Sequence, residues 1–469
     1  MSVIAPLEIE SRDDMALRGE MSQLRRVLLI SYHFPPVGGA GVQRPIKFCK
    51  YLRQFGWEPT VLTAENPSAP VFDESLCRDL PEGLQIERAR TWEPDYKVKQ
   101  NLNATAANNG GWNPKRWLSR WIKSASKLVL QPDPQILWLP NAYRKGVQLL
   151  SGQKFDAILA TAPTYTNFIV GGMLKRKFGV PLLLDYRDEW DLSSKYLENR
   201  SRDWYSSWIQ ERQQQYVLRS ADALIATTEQ SAETLQERAA KLGRKLPSEC
   251  IYNGYDEEDF AGLKRQGDKH DRFRLVYTGT LWNLTSVEPI VQAVERLHHQ
   301  QPDLCELLEF ETVGRNLPEQ SDLLTRLQGT GCRLTVETYQ PHSEVVQRMV
   351  RADAQCLLLS DVPGAERVVP GKMFEYLAAG RPILAVMPSG DSSQIVEKFF
   401  PDNHFVPRDV AGIAEWLENS LRNFQEGRPL AEGVNQDEIR QFSRVGQTER
   451  LADLLNTVTR TDAKSGVVR

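Results

Sequence analysis

Residues 27–45 read "VLLISYHFPPVGGAGVQRP". The apolar run Val27–Ile30 is too short for a helix and the right length for a buried strand. Two prolines then stiffen the chain, and glycines at 38, 39 and 41 strip it of side chains before a helical pattern starts near Gln43. Strand, glycine-bearing turn and helix form the first half of a parallel strand–helix–strand unit. Glycine at such a turn allows close approach of another group and tolerates positive φ. The backbone N–H groups of Gly38, Gly39 and Gly41, beside a helix N-terminus, suit an anionic group. Gly39 and Gly41 also match the first two glycines of a dinucleotide fingerprint. Arg44 occupies its third position and the prolines lengthen the turn, which disfavours that reading. A tight turn with no ligand is the plain alternative.

The same unit recurs along the chain. Strands are expected at Val27–Ser31, Pro59–Thr63, Ala157–Thr161, Pro181–Asp185 and Ala223–Thr227, with helices at Gln43–Phe55, Tyr165–Phe178 and Trp204–Arg219. The alternation pauses near "CIYNGYDEEDF" (250–260) and restarts with "FRLVYTG" (273–279), a helix over Ser286–His299, and strands at Leu308–Val313, Leu334–Tyr339, Ala354–Leu359 and Pro382–Val386. Alternating strands and helices predict an α/β fold of two doubly wound, Rossmann-like domains facing each other across a cleft. The expected organisation is a loose tail over 1–22, a first domain over 23–255, a linker over 256–272 and a second domain over 273–436. A final helix over about 437–460 is expected to cross back to the first domain.

The bulk numbers narrow the function. The 469 residues are too many for one core, and 41% apolar with 25% charged residues is an ordinary soluble balance. A net charge of −3 gives no field that would gather nucleic acid. The six cysteines include no CxxC pair, as expected of free thiols in a reducing cytoplasm. No window approaches the roughly 18 apolar residues of a spanning helix.

In open parallel sheets ligands sit beyond the carboxyl ends of strands, so the strand ends carry the chemistry. "YTGTLWN" (277–283) repeats the glycine turn, and Gly279 and Thr280 would offer N–H groups and a hydroxyl to an anion. In "VVPGKMFEYLAAGRPILAV" (368–386), Pro370 and Gly371 open a helix with Lys372 in its first turn and Glu375 three residues on, on the same face. A lysine there opposes the helix dipole unless an anion such as a diphosphate lies between them. Glu375 suits a pair of ribose hydroxyls; an intrahelical Lys372–Glu375 pair is the plain alternative. "LLLDYRDEWDL" (182–192) places Asp185, Asp188, Glu189 and Asp191 around Arg187. Clustered carboxylates can bind a divalent metal, but Arg187 among them favours internal pairing, and no metal is expected.

Taken in order, "SYHFPPVGGAGVQRPIKFCKYL", "DYRDEW", "YNGYDEEDF", "YTGTL", "VGRN", "YQPHSEVVQRMVRADAQCLLL" and "PGKMFEYLAAGRPILAV" resemble a family 4 glycosyltransferase of the GT-B fold, over roughly residues 24–460. The resemblance implies retaining transfer from a nucleotide-sugar co-substrate, UDP- or GDP-linked, with no cofactor and no bound metal. It places Glu375 on the donor ribose, Gly279 and Thr280 along the phosphates and Tyr339–Gln340 near the base, with Pro370 and Gly371 also in the donor site. Lys372, Arg187 and Asp188 become the catalytic candidates, and Gly38, Gly39 and Gly41 the loop near donor diphosphate and acceptor. Three positions depart from the pattern. Arg367 stands at the earlier family glutamate, Arg187 where many relatives have histidine, and Thr278–Ser286 lacks the usual Arg and Lys. An inactive nucleotide-binding or scaffold member, a GT-B-like nucleotide-sugar epimerase and a metal-dependent transferase are the rival readings.

Residues 101–132 contain no Asp or Glu. In "WNPKRWLSRWIKSASKLVL" (112–130), Trp117, Leu118, Trp121, Ile122, Ala125, Leu128 and Val129 share one arc at helical spacing; Arg116, Arg120, Lys123 and Lys127 share another. Such a stretch, about Arg116–Leu130, suits an anionic membrane surface or a helix packed on its own domain. The expectation is a cytoplasmic protein, peripheral on the inner membrane face, that acts on a glycan or lipid-linked acceptor and binds no nucleic acid.

Overall fold

The computed structural model describes residues 24–99, 130–190, 204–263, 270–430 and 434–465. The tail, Asp191, residues 264–269 and all of the amphipathic stretch except Leu130 lie outside them.

Thirteen strands form two sheets among these residues. The first runs through β1 (Arg25–Ile30), β2 (Trp57–Ala64), β3 (Gln85–Ala89), β4 (Ala157–Ala162), β5 (Leu182–Tyr186), β6 (Ala223–Ala226) and β7 (Ser248–Cys250), in the order β3-β2-β1-β4-β5-β6-β7. Val27 lies opposite Pro59 of β2 on one side and Ala157 of β4 on the other, both pairings parallel. Strand order reverses beside β1, the arrangement that opens a crevice at the carboxyl ends of β1 and β4. Residues Val27–Ile30 are wholly buried, which explains an unbroken apolar run instead of alternation. Helices α1 (Ala40–Tyr51), α2 (Leu139–Gly152), α3 (Thr166–Phe178), α4 (Trp204–Ser220) and α5 (Glu229–Lys241) accompany these strands.

The second sheet contains β8 (Phe273–Thr278), β9 (Leu308–Val313), β10 (Arg333–Glu337), β11 (Ala354–Leu358), β12 (Ile383–Val386) and β13 (His404–Phe405), ordered β10-β9-β8-β11-β12-β13. Alternate residues feed two cores. Cys356 and Leu358 of β11, with Leu384 and Val386 of β12, pack with α6 (Glu288–Gln300) and with the helix Val410–Gln425. Leu357, Ile383 and Ala385 pack with α7 (His342–Arg351), α8 (Lys372–Ala379) and α9 (Asp391–Phe399). Helix α10 (Val410–Gln425) supplies Ile413 and Leu417 to the first of these cores. A sheet with helices on both faces is doubly wound, as the alternating pattern predicts.

The last helix differs from the expected single span. A turn at Gln436–Ile439 and a 3₁₀ turn at Arg440–Phe442 precede α11 (Arg444–Ser465). The break has a cause. Tyr255 N–H donates to Phe442 O (3.2 Å) and Arg444 N–H donates to Tyr255 O (2.8 Å), drawing residues 442–444 into extended pairing. Phe442 buries its ring 4.9 Å from that of Phe374.

The chain divides into two compact units. Among the described residues, one holds 24–185, 204–224 and α11 from Thr448; the other holds 186–190 and 225–447. In the first unit α11 is fastened to the opening strands. Trp57 Nε1–H donates to Asn456 Oδ1 (3.0 Å), Arg25 donates to Asn456 and to Thr459 Oγ1 (3.1 Å), and the Arg25 guanidinium lies 4.4 Å from the Trp57 ring centroid. Among the described residues no helix is long and apolar enough to cross a membrane.

Candidate functional site

In the second unit the candidate residues gather at the carboxyl ends of β8, β9 and β10. Gly279 leaves β8 at φ +117°. Its N–H donates to Val313 O at 2.7 Å, so that group completes the sheet and is not offered to an anion as the sequence suggested. The glycine has a different reason: a Cβ there would stand 2.8 Å from the Lys372 ammonium. A Cβ on Gly314, at φ +140°, would stand 2.3 Å from Gly279 O, so the β8 and β9 turns touch backbone to backbone. Arg315 follows, exposed, and its carbonyl accepts from Leu281 N–H at 2.9 Å. Thr280 is exposed and its carbonyl accepts from the Tyr277 and Thr285 hydroxyls (2.9 and 2.7 Å).

Lys372 is the first residue of α8, after Pro370 and the N-cap Gly371. The Met373 and Phe374 N–H groups turn back on the Pro370 and Gly371 carbonyls (3.1 and 3.3 Å). Lys372 Nζ donates to the Tyr277 hydroxyl at 2.8 Å and lies 4.0 Å from that ring's centroid. Loss of water around the ammonium pushes its pKa down to about 7, against smaller opposing pulls from Cys356 and Glu375. Part of the side chain remains open to solvent. The Tyr376 hydroxyl accepts from Thr278 N–H at 2.8 Å and lies 3.1 Å from Thr278 Oγ1, which ties α8 to the end of β8.

The intrahelical Lys372–Glu375 pair does not form. Glu375 Oε1 instead lies 2.9 Å from His342 Nε2, and His342 Nδ1 lies 3.8 Å from Asp259 Oδ2. Gln340 Nε2–H donates to Glu337 Oε2 at 3.3 Å, and Tyr339 is exposed.

In the first unit the glycine loop joins β1 to α1. Gly38 has little room because of its own chain: a Cβ would stand 2.9 Å from Val71 Cγ1, and its N–H donates to Val71 O (3.0 Å). Gly39 caps α1 at φ +104°, where a side chain would be strained but would meet open space. Gly41 is exposed in the first turn. Arg44, at the third fingerprint position, is buried and grips Asp185 through Nε (3.1 Å to each oxygen) and Nη2 (2.8 Å). Thr161 Oγ1–H completes that carboxylate at 2.8 Å. Asp185 is thereby withdrawn from the acidic cluster read from 182–192. At the same edge Glu93 is buried and accepts from Tyr32, Lys99 and Gln135, a network closed on itself.

Beyond β5, Asp188 is exposed and Arg187 part-buried, its carbonyl accepting from Thr227 Oγ1 (2.7 Å). Glu189 is buried; it accepts from Ser231 Oγ (2.8 Å) and lies 3.5 Å from Arg367 Nη1. Arg367 is therefore an ion-pair partner where the family pattern has a carboxylate. Among the described residues no group of three or more His, Cys, Asp or Glu is placed to hold a metal.

Residues 42–244 match the family model of the glycosyl transferase 4-like domain. That stretch of the chain is therefore a glycosyl transferase 4-like domain. The D-inositol 3-phosphate glycosyltransferase 1 of Catenulispora acidiphila is 26% identical over 233 residues, 47% of this chain; the match spans 54% of that relative, about half its length. Among solved structures, Anabaena HepE in complex with UDP and glucose superposes with a TM-score of 0.55 at 16% identity, covering 92% of this chain and 100% of that one. The UDP-forming α,α-trehalose-phosphate synthase of Burkholderia xenovorans, in complex with glucose 6-phosphate, gives 0.58 at 13% with the same coverage. These likenesses show a GT-B type of α/β fold.

Reading the sequence alone missed two side chains of the candidate site. Tyr277 reads as core, being a wholly buried aromatic in a strand. His342 is a lone histidine after Pro341 at the start of α7. Its place just beyond a strand end was the only available signal.

Proposed function

We propose that this chain transfers a sugar from a UDP- or GDP-linked donor to a glycan or lipid-linked acceptor, with retention at the anomeric carbon. The carrying observation is the Lys372 ammonium, seated at the N-terminus of α8 against a glycine that leaves room for it, one turn before Glu375. A desolvated cation and a helix N-terminus together suit the charge that develops on a departing diphosphate. Glu375 accepts from the ribose diol, while Pro370, Gly371, Thr280 and Gln340 line the donor. Arg187 and Asp188 attend the transferred sugar, and the Gly38–Gly41 loop attends the acceptor. The anomeric C–O bond to the diphosphate breaks, the acceptor oxygen bonds the same carbon on the same face, and its proton passes to a diphosphate oxygen. Lys372 supplies the positive charge, so the reading needs no metal or cofactor.

The reading includes a membrane-facing role in the cytoplasm for residues 112–130, whose support is the sequence. Next to that stretch, Gln131 donates to Ser206 (3.2 Å) and accepts from Gln213 (3.1 Å) of α4, which exposes Trp204 and Trp208. Co-sedimentation with phosphatidylglycerol vesicles tests this role, and equal recovery with neutral vesicles overturns it.

A thermal-shift panel of UDP, GDP, ADP and TDP, each with and without EDTA, tests the donor site. A ligand bound only by the folded state raises Tm with the logarithm of saturation. One nucleotide that stabilises regardless of EDTA, and fails in Glu375→Ala, supports the assignment. Near-normal turnover in both Lys372→Ala and Glu375→Ala overturns it.

A further inference from the structure

We propose that His342 is a positioning residue: it holds Glu375 in the orientation that lets the donor site distinguish a ribose from a deoxyribose. The inference rests on the proposed donor reading and adds a residue that neither the sequence motifs nor the family pattern singled out.

The geometry forms a short relay. Glu375 projects from the first turn of α8, and His342 from the first turn of α7, two helices that pack on the same face of the second sheet. An ionised carboxylate can only accept, so the 2.9 Å approach places a proton on His342 Nε2. The other ring nitrogen faces Asp259, in the Glu257–Phe260 turn, at 3.8 Å. At that distance the Asp259 carboxylate is a charge neighbour of the ring and not its hydrogen-bond partner, so the bond to Glu375 is what orients the imidazole.

Glu375 needs such an anchor. It is part-exposed, with about a fifth of its side chain open to solvent (22%). A glutamate that is free to turn loses rotamer freedom when a ligand immobilises it, and that loss subtracts from affinity. With His342 bonded to Oε1, the carboxylate is already ordered, and Oε2 together with the remaining lone pair of Oε1 is presented to a donor pair. Two vicinal hydroxyls match two acceptor sites; a 2′-deoxy sugar leaves one unused. Lys372 does not compete for the carboxylate, because its ammonium is bonded to Tyr277.

The experiment compares UDP, GDP and ADP with their 2′-deoxy counterparts by calorimetry, on wild type, His342→Ala, His342→Gln, Glu375→Ala and the Ala/Ala double variant. Expected for the best-bound base is a ribose preference that falls about tenfold in His342→Ala, the scale of ordering one side chain. His342→Gln, which keeps an N–H donor, restores most of it. In the Glu375→Ala background, His342→Ala adds no further loss of preference. A purely structural role would lower ribose and deoxyribose binding equally, and that result overturns the proposal. If Glu375→Ala abolishes the preference while His342→Ala retains it, the donor reading stands and the His342 role fails. If Glu375→Ala also retains it, both fail. Should His342→Ala not fold, His342→Phe, which keeps the ring and lacks the donor, is read by the same criteria.

Discussion

The Lys372 ammonium is held 2.8 Å from the Tyr277 hydroxyl, and that hydroxyl in turn donates to Thr280 O at 2.9 Å. A buried strand residue therefore sets the position of the cation at the helix terminus. Tyr277→Phe keeps the ring under the ammonium and removes its hydrogen-bond acceptor. One such bond contributes about 1 kcal/mol. Nucleoside diphosphate affinity is expected to fall about fivefold, with the melting transition little changed, as read by calorimetry beside a thermal scan.

Lys372 also makes binding proton-linked. Its folded pKa, about 7, lies below its ordinary value of 10.5, so between these pH values the unfolded chain binds more protons than the folded one. Folding stability therefore gains from this group as pH rises across that window, and the gain is absent below it. A bound diphosphate raises the amine's pKa. Calorimetry at pH 8 in two buffers of different ionisation enthalpy should show net proton uptake of up to about one per nucleotide, falling toward none at pH 6. Lys372→Met should abolish both the uptake and that share of the stability slope.

Gly279→Ala tests the room left for the cation. Alanine at φ +117° costs about 1–2 kcal/mol in backbone strain, and its Cβ would intrude on Nζ. The variant should fold with a lowered Tm and lose most of the nucleotide-induced thermal shift. An undiminished shift would show that Lys372 is not what the glycine accommodates.

The buried Arg44–Asp185 pair should behave as structure. Breaking it through Asp185→Asn or Arg44→Met strands a buried group and costs about 3–5 kcal/mol, measurable in urea. The Arg44→Met/Asp185→Leu double change should recover much of that loss. Nucleotide affinity of the folded fraction should not change.

The strands were readable because parallel sheets bury whole runs such as Val27–Ile30 and Leu182–Asp185, which need no tertiary knowledge to recognise. Strands β7 and β13, of three and two residues, fall below what a pattern can show. The break before α11 was invisible because it depends on Tyr255, nearly two hundred residues earlier in the chain. At the site, sequence placed Lys372 and Glu375 on one helix turn, and the structure then gave each a different partner. Neither Tyr277 nor His342 is three or four residues from its partner, so periodicity had no means of pairing them. Gly38 has a reason of its own that the sequence did not show: residues 71–73 of the same chain fill the space a side chain would need.

The clasp between α11 and the first strands bears on how the protein is made. Arg25 and Trp57 leave the ribosome about four hundred residues before Asn456 and Thr459, which complete their hydrogen bonds. Leu451 and Leu455, wholly buried, arrive equally late. Vectorial synthesis usually lets an amino-terminal domain finish folding first. Here the opening unit stays incomplete until α11 has been made, so a nascent chain stalled before α11 would hold its first sheet uncapped and would depend on chaperones for that interval.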